Sequence, residues 1–203
     1  METTAPTPEL LRTDALVCAR AERALFAPLG LALRAGEAVW LRGANGSGKT
    51  TLLRTLAGLG QPFAGRFHCP RPPRYLGHAN GLKDELTVAE NLRLAAALQG
   101  QACGNTELKA ALQALGLGGL ARRPARQLSQ GQRRRTALAR LALPAPAALW
   151  LLDEPFDALD QEGLATLRGL LQGLLAAGSA LLFTSHQELT GLATREVQLE
   201  PSA

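Results

Sequence analysis

The run Gly43-Ala44-Asn45-Gly46-Ser47-Gly48-Lys49-Thr50 constrains this chain more than any other feature. It satisfies G-x-x-x-x-G-K-T, the phosphate-binding P-loop. The glycines allow a turn whose backbone N–H groups point inward at an anion. Lys49 supplies a point charge for the terminal phosphates, and the Thr50 hydroxyl is a ligand for Mg²⁺. Such a loop must join a strand to a helix. The apolar run Ala38-Val39-Trp40-Leu41 predicts the strand. A helix is expected from about Lys49 to Leu56, with Thr51 in its first turn and its positive end on the phosphates. By itself the loop establishes only a nucleotide.

Four further segments follow in order. Leu128-Ser129-Gln130-Gly131-Gln132 resembles the LSGGQ signature of ABC-transporter ATPases. Leu149-Trp150-Leu151-Leu152-Asp153-Glu154 is an apolar strand that ends in two acids, the Walker B pattern. A strand buried on both faces needs such a continuous run, and its carboxyl end lies at the nucleotide crevice. Ala158-Leu159-Asp160 is similar to the D-loop of that family. Leu181-Leu182-Phe183-Thr184-Ser185-His186 is another apolar strand, with a histidine placed like the family's switch histidine. The resemblance to an ABC nucleotide-binding domain runs from about Leu16 to Leu199. It implies an α/β fold: a P-loop NTPase core, an N-terminal antiparallel β-subdomain and a small helical subdomain at about 87–143.

Composition excludes other classes. A chain of 203 residues with 46% hydrophobics can bury one large domain. The net charge is +5, and the basic residues are arginines except Lys49, Lys83 and Lys109. That charge reads as a solvated surface, with attraction to an anionic leaflet as the alternative. Cys18, Cys69 and Cys103 are widely spaced and form no C-x-x-C, which argues against a disulfide framework or zinc site. Residues 1–10 read as a flexible tail without the pattern of a secretion signal. Leu164 to Phe183 has the length of a membrane span, but glycines and Gln172 interrupt it. We expect a helix over about Gln161–Ala177, a break at Gly178-Ser179 and a strand over Ala180–Thr184.

The remaining segments are read by periodicity. About Leu11 to Leu41 alternates like a small β-subdomain. Residues 60–75 hold Pro62, Pro70, Pro72 and Pro73 and should be irregular with short strands. From Thr87 the pattern turns helical. Arg133-Arg134-Arg135 would spread over about 200° of a helix, and a mostly solvated face is expected.

The resemblance also implies roles. Gly43 through Thr51 would hold ATP, with Thr50 and Asp153 on Mg²⁺. Glu154 would polarise the attacking water, and His186 would sense the γ-phosphate. Ser129, Gly131, Gln132 and Asp160 would serve the nucleotide of an opposing subunit, so two copies, or one copy and a homologue, build a complete site. Two positions depart from the pattern. His78 stands where the family usually has a glutamine near Mg²⁺ and the water. Arg20 stands near the place of the aromatic that stacks on adenine; a guanidinium plane can also stack on a base.

These departures, the small size and the stretch from Trp150 to Asp160 together resemble one subfamily. It is the haem-exporter ATP-binding subunit of the bacterial cytochrome c maturation (Ccm) system. That resemblance implies integral membrane subunits as partners, attachment by docking on the cytoplasmic face of the inner membrane, and no nucleic acid. It also implies ATP hydrolysis linked to release of a haem-loaded chaperone. The alternatives are another small ABC exporter and a non-transport soluble ABC ATPase; the signature disfavours a P-loop kinase. His68-Cys69-Pro70 contains a Cys-Pro pair, read as a loop cysteine before a turn proline.

Overall fold

The computed structural model describes residues 7–187 and 191–202. Most of the expected tail, 1–6, lies outside the described residues. Glu9 and Leu10, placed in that tail, already belong to the first strand, β1 (Glu9–Val17). Leu11 and Leu16 of β1 are fully buried, and that burial anchors the strand.

Chain contacts divide the protein into two units. One comprises 1–75, 147–153 and 174–203; the other comprises 76–146 and 154–173. The first unit holds an antiparallel sheet in which β1 lies between β4 (Leu29–Arg34) and β6 (Ala64–His68). A small hairpin, β2 (Ala19–Arg20) and β3 (Arg23–Ala24), lies between β1 and β4 in sequence. The β1–β6 register shifts between Asp14 and Val17, where Ala15 takes φ 45° opposite Gly65 at φ 72°. A Cβ on Gly65 would lie 2.1 Å from the Ala15 carbonyl oxygen, so this bulge requires glycine.

The second sheet is the P-loop scaffold. Its order is β10 (Arg195–Gln198), β5 (Ala38–Arg42), β9 (Ala180–Thr184), β8 (Leu149–Leu152), β7 (Arg74–Leu76). The β10–β5, β5–β9 and β9–β8 pairs are parallel. β8 and β9 are buried at every position because both faces are covered. Alternation sorts their side chains. Val39, Leu41, Leu151 and Leu182 join Leu52, Leu53 and Leu56 of helix α1 (Lys49–Leu56) in one core cluster with Leu11, Leu31 and Leu33 of the antiparallel sheet. On the other face Trp40 stacks on Phe183, with centroids 6.5 Å apart. The buried Arg74 guanidinium lies 5.2 Å from the Trp150 ring centroid.

The second unit is helical. Helix α2 (Val88–Leu98) starts with a capping box: the Thr87 hydroxyl accepts from the Glu90 amide, and the Glu90 carboxylate accepts from the Thr87 amide. Helix α3 (Asn105–Ala114) and helix α4 (Gln130–Leu138) follow, the latter running into a 3-10 turn at Ala139–Ala142. Helix α5 (Gln161–Ala176) begins in this unit. Gly178 takes φ 84° before β9, so the apolar stretch from Leu164 to Phe183 is a helix, a break and a strand. Among the described residues no helix is long and apolar enough to cross a membrane.

Candidate nucleotide site

Strand β5 ends at Arg42, and the P-loop turns through Gly43 (φ 154°), Gly46 (φ 82°) and Gly48 (φ 97°) into α1. These are left-handed conformations that favour glycine. Gly48 is also enclosed: a Cβ there would lie 2.9 Å from Leu25 Cβ and 3.0 Å from Phe26 Cδ1. A Cβ on Gly43 would lie 2.6 Å from Ser47 Oγ. The Lys49 ammonium donates to the carbonyls of Gly43 at 2.7 Å and Ala44 at 3.1 Å, across the mouth of the loop. Helix α1 begins without a side-chain cap or an acid in its first turn. Its leading N–H groups, those of Thr50 and Thr51 among them, are thus suited to an anion.

Asp153, 2% exposed, follows directly on β8. Its Oδ1 accepts from the Thr50 hydroxyl at 3.2 Å and from the Thr184 hydroxyl at 3.0 Å. A carboxylate and a hydroxyl at the foot of a phosphate loop form a hard-oxygen set, which suits Mg²⁺ rather than a softer metal. Tyr75, the only tyrosine in the chain, hydrogen-bonds Asp153 as well. Burial first, and then the Asp153 charge, push its phenol up to about 12. Sequence reading missed both Tyr75 and Thr184. Thr184 closes the apolar run of β9, which was the available signal, whereas Tyr75 lies within β7 and its residue type does not disclose its partner.

A cleft of about 460 Å³ has Gly43, Lys49, Ser185 and His186 among its lining residues. The strand periodicity that carries His186 thus brings it to the same cleft as the P-loop lysine. The segment is anchored one residue earlier, where the Trp40 indole donates to the Ser185 carbonyl at 3.2 Å. The Arg42 guanidinium lies 4.6 Å from the Trp40 ring centroid.

Arg20 is exposed on the β2–β3 hairpin, directly opposite Arg23. The hairpin turns through Ala21 (φ 48°) and Glu22 (φ 61°). Its base is tied by Leu25 N–H to the Cys18 carbonyl, so the chain that leaves it is the Leu25-Phe26 pair packed on Gly48. Cys69 is half-buried against the main core, and burial pushes its thiol up to about 11. It is a packing cysteine.

The second unit carries the signature. Ser129 caps α4: its hydroxyl accepts from the Gln132 amide at 3.2 Å, and the Gln132 side chain accepts from the Ser129 amide at 3.0 Å. The box explains why serine and glutamine stand at this spacing. Gly131 follows in the first turn. Asp160 caps α5 by accepting from the Gly163 amide at 2.9 Å.

The expectation of a solvated arginine face is overturned. Arg134 is 3% exposed. It donates to the carbonyls of Gly77 and Glu154 and to Asn80 Oδ1. Arg133 reaches Asp84 at 2.6 Å and the Ala125 carbonyl at 2.9 Å, and Arg135 reaches Asp160 at 2.9 Å. The rotation between successive helix positions sends each guanidinium to a different neighbour. Glu154 takes φ 49° and Ala158 φ 60°. Each such non-glycine conformation costs on the order of 1–2 kcal/mol, and the Glu154 carbonyl is held by Arg134 and by the Asp157 amide. His78 is exposed, with Nδ1 3.8 Å from Asp157 Oδ2. Asn91, 5% exposed, accepts from the Lys83 amide and donates to the carbonyls of Lys83, Leu86 and Thr87. It pins the turn before α2, a role that sequence spacing did not reveal.

The structure brings Lys49 together with His186, and Thr50 with Asp153, within the first unit. Ser129, Gly131, Gln132, Asp160, Glu154 and His78 belong to the second.

Comparison with known proteins accords with this geometry. The ABC transporter family profile matches residues 26–157. A cytochrome c biogenesis ATP-binding export protein CcmA from Methylococcus capsulatus is 46% identical over 191 residues, covering 88% of this chain and 92% of that protein. The CcmA of Nitrosomonas europaea is 44% identical over 200 residues, covering 92% and 93%. Among solved structures, an ATP-binding subunit of an ABC transporter matches with TM-score 0.78 at 25% identity, covering 87% of this chain and 79% of that one. An ABC transporter ATP-binding protein from Pyrococcus furiosus shares the fold with TM-score 0.81 at 24% identity, covering 93% and 96%. The chain therefore belongs to the ABC transporter family, as an ATP-hydrolysing subunit similar to the CcmA proteins.

Proposed function

We propose that this ATPase drives a haem-export complex of cytochrome c biogenesis, in which hydrolysis energises release of a haem-loaded chaperone. Its similarity to CcmA proteins over about nine-tenths of its length carries the reading. It docks on integral membrane subunits at the cytoplasmic face of the inner membrane, and two copies close on ATP.

In this reading the P-loop amides and Lys49 bind the β- and γ-phosphates. Thr50 and Asp153 hold Mg²⁺, which when bound neutralises charge on the phosphates. Glu154 orients and polarises the water. His186 contacts the γ-phosphate from the end of its strand, and His78 takes the place of the family's glutamine near the water. Ser129, Gly131, Gln132 and Asp160 complete the site of the opposing copy. Arg20 meets the base.

The test is Glu154→Gln. The variant should bind Mg-ATP, stall hydrolysis and elute as a dimer on gel filtration. A strictly monomeric profile at high concentration would count against ATP-driven closure. Affinity capture of the chain from detergent-solubilised membranes should recover cytochrome c assembly subunits. Recovery of a different exporter's membrane subunits would overturn the cargo assignment.

A further inference from the structure

We infer that Arg134 is a positioning residue for hydrolysis, a rigid link that sets the backbone of Glu154 against the turn that carries His78. The inference rests on the reading that Glu154 acts on the attacking water.

The geometry is specific. One terminal nitrogen of the guanidinium, Nη1, donates to the Gly77 carbonyl at 3.4 Å and to Asn80 Oδ1 at 3.0 Å. The other, Nη2, donates to the Glu154 carbonyl. His78 lies between the two residues that Nη1 holds. A guanidinium is planar, so the spacing between its two ends cannot vary. Glu154 has φ 49°, and it is followed by Pro155 rather than by a helix that could hold it. Fixing its carbonyl fixes the plane of the peptide that leaves the Glu154 Cα, and so restricts the direction in which the Cα–Cβ bond leaves the backbone. Arg134 is buried on α4, five residues after the N-cap Ser129. A displacement of the signature end of α4 would therefore reach the Glu154 backbone through one side chain.

A lysine keeps the charge but has one nitrogen, so it cannot serve both ends of the link. This separates positioning from charge. In purified protein, Arg134→Lys and Arg134→Met should each lower kcat by about tenfold or more, because small misplacements of reacting groups are costly. KM and Kd for ATP should stay within about twofold, since the phosphate loop is untouched. Amide exchange at Asp157, which donates to the Glu154 carbonyl, should accelerate in both variants. Wild-type kcat in a folded Arg134→Lys protein would overturn the inference. So would a fall in kcat matched by an equal loss of folded protein.

Asn80→Ala removes one acceptor and leaves the arginine. It should lower kcat by about threefold at unchanged KM, less than the arginine variants, because the other contacts of the guanidinium remain. An unchanged kcat in Asn80→Ala would overturn the link even if the arginine variants fail to fold. If wild type shows no hydrolysis that Glu154→Gln removes, the role of Glu154 fails instead, a different result from active wild type with equally active Arg134 variants.

Discussion

Lys49 and Thr50 stand above strands buried on both faces, whereas Ser129 stands at the head of a helix held by three arginines. The phosphate loop takes its shape from backbone and from apolar packing. Leu52, Leu53 and Leu56 fix the helix behind it, and Leu25 and Phe26 close on Gly48. Beyond the buried Ala137 and Leu138 at its C-terminal end, the signature helix takes its place from polar links, each reaching a different segment of the second unit. The lesson is that one polypeptide builds two kinds of precision. Packing in the sheet-centred unit is collective and costly to disturb. Guanidinium links in the helical unit are discrete, and each can be cut singly.

The sharpest test removes packing. Leu182→Ala, at a fully buried site in β9, should cost about 2–5 kcal/mol in urea unfolding. Nucleotide binding should weaken only as folded protein is lost. A cost below about 1 kcal/mol would mean that the core collapses around the gap, and the contrast would lose its first half.

Next in size is Lys49→Ala, which should reduce hydrolysis by about 10²–10³-fold through lost phosphate stabilisation. Its melting temperature should stay near that of wild type, because Lys49 contributes charge to the site and no core contact. Thermal melting beside a steady-state assay checks both. Substantial unfolding would show that the Lys49 links to the Gly43 and Ala44 carbonyls hold the loop together.

Ser129→Ala should cost about 1 kcal/mol, the usual worth of an N-cap. Its amide-exchange signature should be confined to the start of α4. Protection lost throughout the strands would mean that the two units do not differ in kind.

The smallest effect is alkaline. Burial raises the Cys69 thiol from 9.0 to about 11 and the Tyr75 phenol from 10.0 to about 12. The neutral forms are favoured in the folded state. Their stabilisation is fully present below the unfolded values and is lost as pH rises through the folded ones. Melting temperature should therefore decline between about pH 9 and 12, and Cys69→Ala should make the early part of that decline shallower. Identical profiles would place the cause elsewhere.

The two units also differ in how much the residues themselves disclosed. The P-loop, the Walker B strand and the histidine strand were legible because their geometry follows from glycine positions and apolar runs, which are local. The helix–break–strand reading of Leu164 to Phe183 held for the same reason: Gly178 needs positive φ, and Ala180 to Thr184 suits a buried strand. Arg134 was not legible. Helical rotation says that three consecutive arginines point three ways, but it does not say which way is inward. That depends on carbonyls at Gly77 and Glu154, far away in sequence. Tyr75 was hidden similarly, because its partner Asp153 follows a different strand, β8. The positive φ of Glu154 is set by tertiary contacts and leaves no mark on residue type.

The β2–β3 hairpin has a consequence for engineering. Its two-residue turn uses positive φ at both Ala21 and Glu22, the pattern that Asn-Gly adopts with least strain. Both residues are exposed, so no packing depends on them. Replacing the pair by Asn-Gly should relieve on the order of 1 kcal/mol of backbone strain. The chain can thus be made sturdier at a surface turn, with Arg20 and Arg23 left facing each other as they are.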